Sequence, residues 1–191
     1  MKRFFITSAF ILAVITAFAC KAFAQEEKFF DVIGDITYGE ECLQSWQIEE
    51  ASAVAEKLLL TVPDNPYACF FAGEVRFYEG NYEESLSLLQ KALKEPDIAQ
   101  SGQKFYDFVD KIYQTTSKFK EVRTEHFLFR YLEEKDAILV DYALNTLEKA
   151  YSAIGNDLHY FPKKPILVEV FPDAESFCTI STLTKNEIET S

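Results

Sequence analysis

The sequence has few of the residues that enzymes use for metal binding, redox chemistry and phosphate binding. It has only two histidines, His126 and His159, and its four cysteines form no C-x-x-C pair, so neither a structural zinc site nor a dithiol motif is predicted. All six glycines are isolated, which excludes a glycine-rich phosphate loop. The G-x-S-x-G motif of serine hydrolases is also absent. We therefore expect no cofactor and no complete catalytic site.

Basic residues are scarce as well. The chain of 191 residues has 19 Lys and Arg against 31 Asp and Glu, a formal net charge of −12. An acidic surface repels nucleic acid and anionic lipid, so we exclude nucleic acid as a partner. The sequence is 48% hydrophobic and 15% aromatic, which is enough to build a core and argues against general disorder.

The start of the chain, residues 1–24, differs from the rest. Lys2 and Arg3 precede an apolar segment, residues 4–19, and Ala-Phe-Ala at residues 22–24 offers small residues to a signal peptidase. This order predicts a secretory signal peptide, residues 1–24, and an exported protein that is periplasmic or extracellular. Cleavage would remove three basic residues and no acid, so the net charge would fall from −12 to −15.

Two alternatives to this cleavage stay open. Lipidation at Cys20 would make the protein a lipoprotein, although Ala17 stands where such signals usually have leucine. Of the two processed forms, we expect only the lipoprotein to contact a membrane. A retained anchor is the other alternative, and the apolar run is short for a membrane span of about 20 residues.

Three cysteines remain after cleavage: Cys42, Cys69 and Cys178. An odd number cannot pair completely within one exported chain. Cys69 lies in the apolar run Y-A-C-F-F-A-G, which predicts a buried free thiol. The sequence leaves the pairing of these thiols open.

Two segments of the chain match each other at a constant offset. Residues 48–63 (IEEASAVAEKLLLTVP) align with residues 82–97 (YEESLSLLQKALKEPD), and each contains a proline that suits a helix stop. The matched pairs are Glu49 with Glu83, Glu50 with Glu84, Ala51 with Ser85, Val54 with Leu88, Lys57 with Lys91, and Leu59 with Leu93. A 34-residue period of helix–turn–helix units is typical of the tetratricopeptide repeat. The alternative is an ordinary helical hairpin in which the 34-residue match arises by chance.

The segment between the matched helices predicts a third helix. Asn65 is suited to cap it and Pro66 to its first turn. Gly73 lies in its middle, where glycine costs about 1 kcal/mol relative to alanine, so we expect a partner helix to approach closely there, near Ser85 or Leu89.

These residues resemble the tetratricopeptide family. The family has a small residue within the first helix, glycine and an aromatic at the turn, a small residue early in the second helix, and Ala-Leu near its end. The corresponding residues here are Gly73, Gly80, Tyr82, Ser85 and Ala92-Leu93. The resemblance implies helical repeats over residues 25–120, with the best repeat at residues 64–97. A helix near residues 101–117, with Phe105, Phe108, Val109 and Ile112 at helical spacing, is expected to cap the stack.

Tetratricopeptide stacks bind proteins or peptides, and the resemblance implies that a concave repeat surface does so here. The candidate contacts are aromatic or basic residues of the best repeat: Tyr67, Phe71, Arg76, Phe77 and Tyr82.

The pattern changes after residue 120. The run T-E-H-F-L-F-R-Y alternates, which predicts a strand with Phe127, Phe129 and Tyr131 on one face. A helix with Ile138, Tyr142, Ala143, Leu147, Ala150, Tyr151 and Ile154 at helical spacing follows, with Gly155-Asn156 as its cap. The strand P-I-L-V-E-V comes next, then a short helix from Asp173. The order predicts an α+β fold: helical hairpin repeats followed by a strand–helix–strand unit, residues 121–191.

Residues 121–181 also resemble the front of a gluzincin-type zinc metallopeptidase domain. The shared features are a strand ending in an aromatic, a helix with L-E-x-A-Y, the strand P-I-L-V and a short helix with phenylalanine. Those enzymes bind zinc through H-E-x-x-H, which this chain lacks, so no residue inherits a ligand role. Convergence of Glu125, His126 and His159 on a metal is a disfavoured alternative, as is a Cys178–His159 pair.

The leading prediction is therefore an exported interaction protein of the tetratricopeptide type. Residues 182–191 (TLTKNEIETS) contain no stop signal and no closing element, so we expect a truncated or naturally short form that lacks a catalytic half. One alternative is the amino-terminal fragment of a zinc metallopeptidase. Another is a structural envelope protein whose repeats act as spacers.

Overall fold

The computed structural model describes residues 31–181, without the side chains of residues 134–136 and 179. The expected signal peptide, residues 1–24, and the alternative lipidation site, Cys20, lie outside the described residues. Residues 182–191 lie outside them too.

The described residues form an α+β fold, as predicted, with seven helices and a sheet of three strands. The helical half contains α1 (residues 31–44), α2 (Ile48–Thr61), α3 (Pro66–Tyr78), α4 (Tyr82–Ala92) and α5 (Pro96–Thr116). The second half contains β1 (Lys120–Arg123), β2 (Phe127–Tyr131), α6 (Glu133–Leu158), β3 (Ile166–Val170) and α7 (Ala174–Ile180).

Helices α3 and α4 form a close pair because two small residues face each other. A Cβ atom built on Gly73 would lie 2.8 Å from Cγ of the buried Leu89, and Oγ of Ser85 donates a 2.6 Å hydrogen bond to the Gly73 carbonyl. The predicted approach of the two helices is confirmed. The predicted cap is confirmed as well, since the side chain of Asn65 accepts hydrogen bonds from the backbone of Tyr67 and Ala68.

The period seen in the sequence is present in the backbone as well. Helix α1 ends at residue 44 and α3 at residue 78, while α2 begins at residue 48 and α4 at residue 82, so both spacings equal that of the sequence repeat. Each hairpin turns through one residue with positive φ, Trp46 (58°) in the first and Gly80 (73°) in the second.

The two turns also share the same hydrogen bonds of a Schellman motif. In the first turn these run from Trp46 N to Leu43 O and from Gln47 N to Cys42 O. In the second they run from Gly80 N to Phe77 O and from Asn81 N to Arg76 O.

Helix α5 begins at Pro96, five residues before the predicted start near Ser101. The sequence suggests that Pro96 stops α4, but α4 ends earlier, at Ala92, and Pro96 occupies the first turn of the next helix. Proline has no N–H to lose there, and its fixed φ suits a helix start.

The sheet has the order β1-β2-β3, with β1 antiparallel and β3 parallel to β2. The alternation in β2 is confirmed, because Phe127, Phe129 and Tyr131 are buried and the residues between them are half-buried. Strand β1 is absent from the sequence-based prediction. Its sequence, K-E-V-R, is charged and mostly exposed, so it has no hydrophobic period to detect, and its first residue falls before the predicted boundary at 121.

The predicted core face of α6 was right only in part, since Ala143 and Leu147 do pack against the core, and the predicted cap was wrong. Val140 and Leu144 are the buried residues, whereas Ile138 and Tyr142 are exposed, because the small sheet contacts only one narrow stripe of the helix. The helix also continues past Gly155 and is capped by His159 in the left-handed conformation (φ 51°). The ring of Phe161 packs directly against Gly155, within the helix.

Arg130 joins the sheet to the second hairpin turn. Its Nη1 donates a 2.7 Å hydrogen bond to the carbonyl of Gly80 and lies 3.3 Å from Glu169 on β3. The hydroxyl of Tyr82 donates to the same Glu169 at 2.8 Å, and the side chain of Leu167 lies against Gly80. The turn, β2 and β3 are therefore linked through one half-buried guanidinium, which we call the Arg130 clamp.

Replacing Gly73 with alanine should lower the free energy of unfolding by about 1–2 kcal/mol, because overpacking against Leu89 exceeds the gain in helix propensity. Denaturant unfolding monitored by circular dichroism measures the change. Gly34→Ala is the matched control: Gly34 is on α1, and nothing lies within 4 Å of the position that a Cβ atom would take, so alanine should stabilise there. Equal effects of the two substitutions would contradict the close approach.

Breaking the Arg130 clamp should cost more than breaking an exposed ion pair. Arg130→Met leaves Glu169, whose side chain is 10% exposed, and the Gly80 carbonyl without this partner. We expect a loss of about 2–4 kcal/mol in the free energy of unfolding, measured by denaturant titration.

Lys57→Met is the control for this clamp, because Lys57 is 60% exposed in its pair with Asp35. Its loss should cost at most about 1 kcal/mol. Similar losses for the two variants would show that the clamp contributes no more than a surface pair.

Candidate functional site

The five residues that the sequence indicates as partner contacts differ in their exposure and in their contacts within the chain. Tyr67 is exposed in the first turn of α3, whereas Phe71 is only 1% exposed, inside the helical core. The guanidinium of Arg76 is engaged by its own chain, at 2.6 Å from Glu79 and 3.1 Å from Glu84.

Phe77 and Tyr82 also have intramolecular roles. Phe77 contacts the rings of Tyr82, Phe105 and Phe108 at centroid distances of 5.3–5.8 Å, which ties α3 to α4 and α5. Burial and the charge of Glu169 raise the pKa of Tyr82, so its hydroxyl stays protonated as a donor in the clamp. The expected role of Phe71 as a surface contact is therefore corrected, because core packing has taken its side chain out of solvent.

A cleft of about 510 Å³ lies between the first hairpin turn and the loop that follows α6. One wall is formed by residues 46–50 together with Tyr78 and Glu79, and the other by residues 160–167. Four of its aromatic side chains are exposed: Trp46, Tyr78, Tyr160 and Phe161. Ligand sites are typically concave, of this size and lined with aromatic groups, so this cleft is the candidate binding site.

Trp46 has an unusual backbone for its size. It takes the left-handed position of its turn (φ 58°), where the second hairpin has Gly80, although positive φ is a steric outlier for a bulky residue. Its side chain is nevertheless 76% exposed, and its ring meets Tyr78 edge-on at 5.9 Å. A strained residue that buries little of its side chain contributes little to the fold, and such strain is typical of functional sites.

The opposite wall is held in place from three directions. The hydroxyl of Tyr151 on α6 donates to the carbonyl of Pro162 at 2.9 Å, and Lys164 pairs with Glu79 at 3.2 Å. The backbone N–H of Ile166 donates to the carbonyl of His126 at 2.8 Å. The cleft is therefore preformed, with a loop that is fixed to α6, α3 and the sheet.

Charges of both signs border the cleft. Burial opposes ionisation of Glu79, but hydrogen bonds from Ser52, Arg76 and Lys164 outweigh it and lower its pKa. Glu49, Glu50 and Lys163 line the cleft as well, and none of them forms an ion pair within residues 31–181.

His126 belongs to a separate polar cluster, at the turn between β1 and β2. Its Nδ1 lies 2.7 Å from Oε2 of Glu148, and its ring stacks on Tyr151 at 3.8 Å. A hydrogen bond from Thr124 and one from His126 lower the pKa of Glu148. The cluster fixes the β1–β2 turn on α6, a structural role that the sequence does not indicate.

The structure also places the histidines and cysteines that the sequence offers for metal or thiol chemistry. No group of three His, Cys, Asp or Glu in that part is arranged to hold a metal ion, so Glu125, His126 and His159 are not brought together as a ligand set. Cys42, Cys69 and Cys178 are free thiols there, and the predicted burial of Cys69 is confirmed.

A pair of carboxylates lies near Tyr78, outside the cleft. Glu74 on α3 and Glu40 on α1 line a shallow depression with Leu43, Gln44 and Tyr78. Burial, and then the negative charge of Glu40, raise the pKa of Glu74 to about 7. Packing α3 against α1 therefore makes the ionisation of Glu74 less favourable in the folded protein than in the unfolded chain.

Comparisons with known proteins give no assignment. No model of a known protein family matches the chain, no curated protein matches it, and no solved structure matches it. Within residues 31–181, none of the helices has the length and apolar character that crossing a membrane requires.

Titration of Glu74 makes a pH-dependent prediction. Between pH 4.5 and about 7 the folded protein keeps a proton on Glu74 that the unfolded chain has released, so stability should fall as the pH rises through this range, by about 3 kcal/mol. Glu74→Gln should remove that decrease, whereas Glu56→Gln, at an exposed position of α2, should leave it intact. Unfolding free energies measured at pH 5 and pH 8 compare the three proteins, and an unchanged slope in Glu74→Gln would contradict the assignment.

Proposed function

We propose that this protein is an exported interaction protein of the tetratricopeptide type, which binds a segment of a protein partner in the cleft between its first hairpin turn and the α6–β3 loop. The observation that carries the proposal is Trp46. It combines a strained backbone, high exposure and a place in the wall of a preformed cleft.

The repeat supports the tetratricopeptide part of this proposal. Helix ends, turn hydrogen bonds and positive φ all recur at one spacing, and this spacing is the period of that family. Gly39 and Gly73 have the same separation, and each lies where a neighbouring helix comes close, Gly39 beneath the ring of Phe71 and Gly73 beneath Leu89.

The two equivalent turns serve different purposes. Gly80 is covered by Leu167 and Arg130, so its turn receives the sheet. Trp46 stands at the same place in the first turn and lines the open cleft instead. Glycine, which suits positive φ, is present in the turn that the sheet covers. Trp46 takes its place in the turn that lines the open cleft.

The proposed binding face differs from the one that the sequence indicates. Of the five expected contacts, Tyr67 alone is freely exposed, and it lies at the opposite end of α3 from Tyr78 and the cleft.

Trp46→Gly should abolish partner binding without loss of stability. Glycine relieves a left-handed conformation that costs about 1–2 kcal/mol, which offsets the lost contact with Tyr78, so the free energy of unfolding should stay level or rise. Peptide display against the wild type should enrich sequences that the variant does not retain. Leu60→Ala is the control, since Leu60 is exposed on α2 and outside the cleft.

Enrichment that survives Trp46→Gly would place the binding face elsewhere. Absence of enrichment by the wild type, with the fold intact by circular dichroism, would contradict an interaction role for the cleft.

A further inference from the structure

Beside the second hairpin turn, a glutamate at the start of α4 binds an arginine of the same chain. In the second repeat, Arg76 at the end of α3 places Nε 3.1 Å from Glu84 in the first turn of α4, and its side chain is 13% exposed. The equivalent residues of the first repeat, 34 positions earlier, are Cys42 and Glu50. Cys42 is buried and has no guanidinium, so Glu50 lacks such a partner from that position of its own chain.

Glu50 and its neighbour Glu49 line the cleft. They are the counterparts of Glu84 and Glu83, and within residues 31–181 neither of them is ion-paired. Two carboxylates in the same wall as the exposed ring of Trp46 favour an arginine, because its guanidinium pairs with carboxylates and also stacks on aromatic rings. The acidic chain as a whole attracts a basic partner.

The aromatic residues of the two walls favour a ligand with a rigid, extended backbone. Trp46 and Tyr78 lie in one wall of the cleft and Tyr160 and Phe161 in the other, and aromatic-lined grooves of this kind bind proline-rich segments in the polyproline II conformation. Such segments lose little conformational entropy on binding. A volume of about 510 Å³ accommodates a few residues, not a folded domain.

We propose that the cleft binds a short, extended segment of a partner protein in which an arginine stands beside prolines. This inference rests on the proposed function. The arginine meets Glu49 and Glu50, and the prolines lie between the two aromatic walls. Lys163 at the far wall orients the segment by repelling a second cation there.

The sole tryptophan of the chain makes the test direct, because Trp46 reports on the cleft without a label. Three short peptides are titrated: one alternates arginine with pairs of prolines, one has glutamate for each arginine, and one has glycine for each proline. We expect the arginine–proline peptide to change Trp46 emission and to bind about tenfold or more tightly than either of the others. Its affinity should fall as salt is raised.

Matched variants locate the arginine. Glu50→Gln and Glu49→Gln should each weaken the arginine–proline peptide by about threefold to tenfold, and should not weaken the glutamate peptide. Glu83→Gln, the equivalent change in the second repeat and outside the cleft, should have no effect.

Three results would overturn the inference. Equal or tighter binding of the glutamate peptide would show that Lys163 dominates, equal or tighter binding of the glycine peptide would show that the prolines are not recognised, and binding of none of the three would show that the partner has another chemistry. None of these results affects the proposed function, which fails only if display finds no ligand that depends on Trp46.

Discussion

The Arg130 guanidinium is the contact on which the arrangement of the molecule depends. It satisfies the carbonyl of Gly80 at the second hairpin turn and lies beside Glu169 on β3. Through these contacts the sheet stands at a fixed position on the repeats, and the loop that leads into β3 is held beside the first turn. The clamp thus contributes to the cleft, because one wall belongs to the repeats and the other to the loop, and the Lys164–Glu79 pair joins the same two walls directly.

The two hairpin turns have the same backbone conformation but different surroundings. Both turns need a residue with positive φ, and glycine provides it where Leu167 and Arg130 close over the backbone. Trp46 accepts strain at the same position and gains an exposed ring. The adjacent acidic pair repeats as well, but only the second repeat supplies its own arginine, Arg76.

Sequence patterns predict those features that depend on local chemistry. Asn65 and Pro66 indicate the start of α3, Gly73 indicates a close helix pair, and alternation indicates β2. Strand β1 escapes prediction because pairing with β2, and not hydrophobicity, makes Lys120–Arg123 extended.

Features that depend on distant contacts are not predictable in this way. The core stripe of α6 was predicted only in part, because its apolar residues surround the helix and the sheet selects Val140 and Leu144, with Ala143 and Leu147 beside them. The cleft has no sequence signal, since Trp46 and Tyr160 belong to opposite halves of the chain and come together only in the folded structure.

Hydrogen–deuterium exchange of the wild type and of Arg130→Met tests most directly whether the clamp builds the cleft. If it does, the variant should exchange faster in residues 160–167, which lose one of their supports, and also in residues 46–50, which face them across the cleft. The interior of the α3–α4 hairpin should keep its protection, because Gly73 and Ser85 hold it independently of the sheet. Faster exchange confined to the strands, with both walls of the cleft unchanged, would contradict the account.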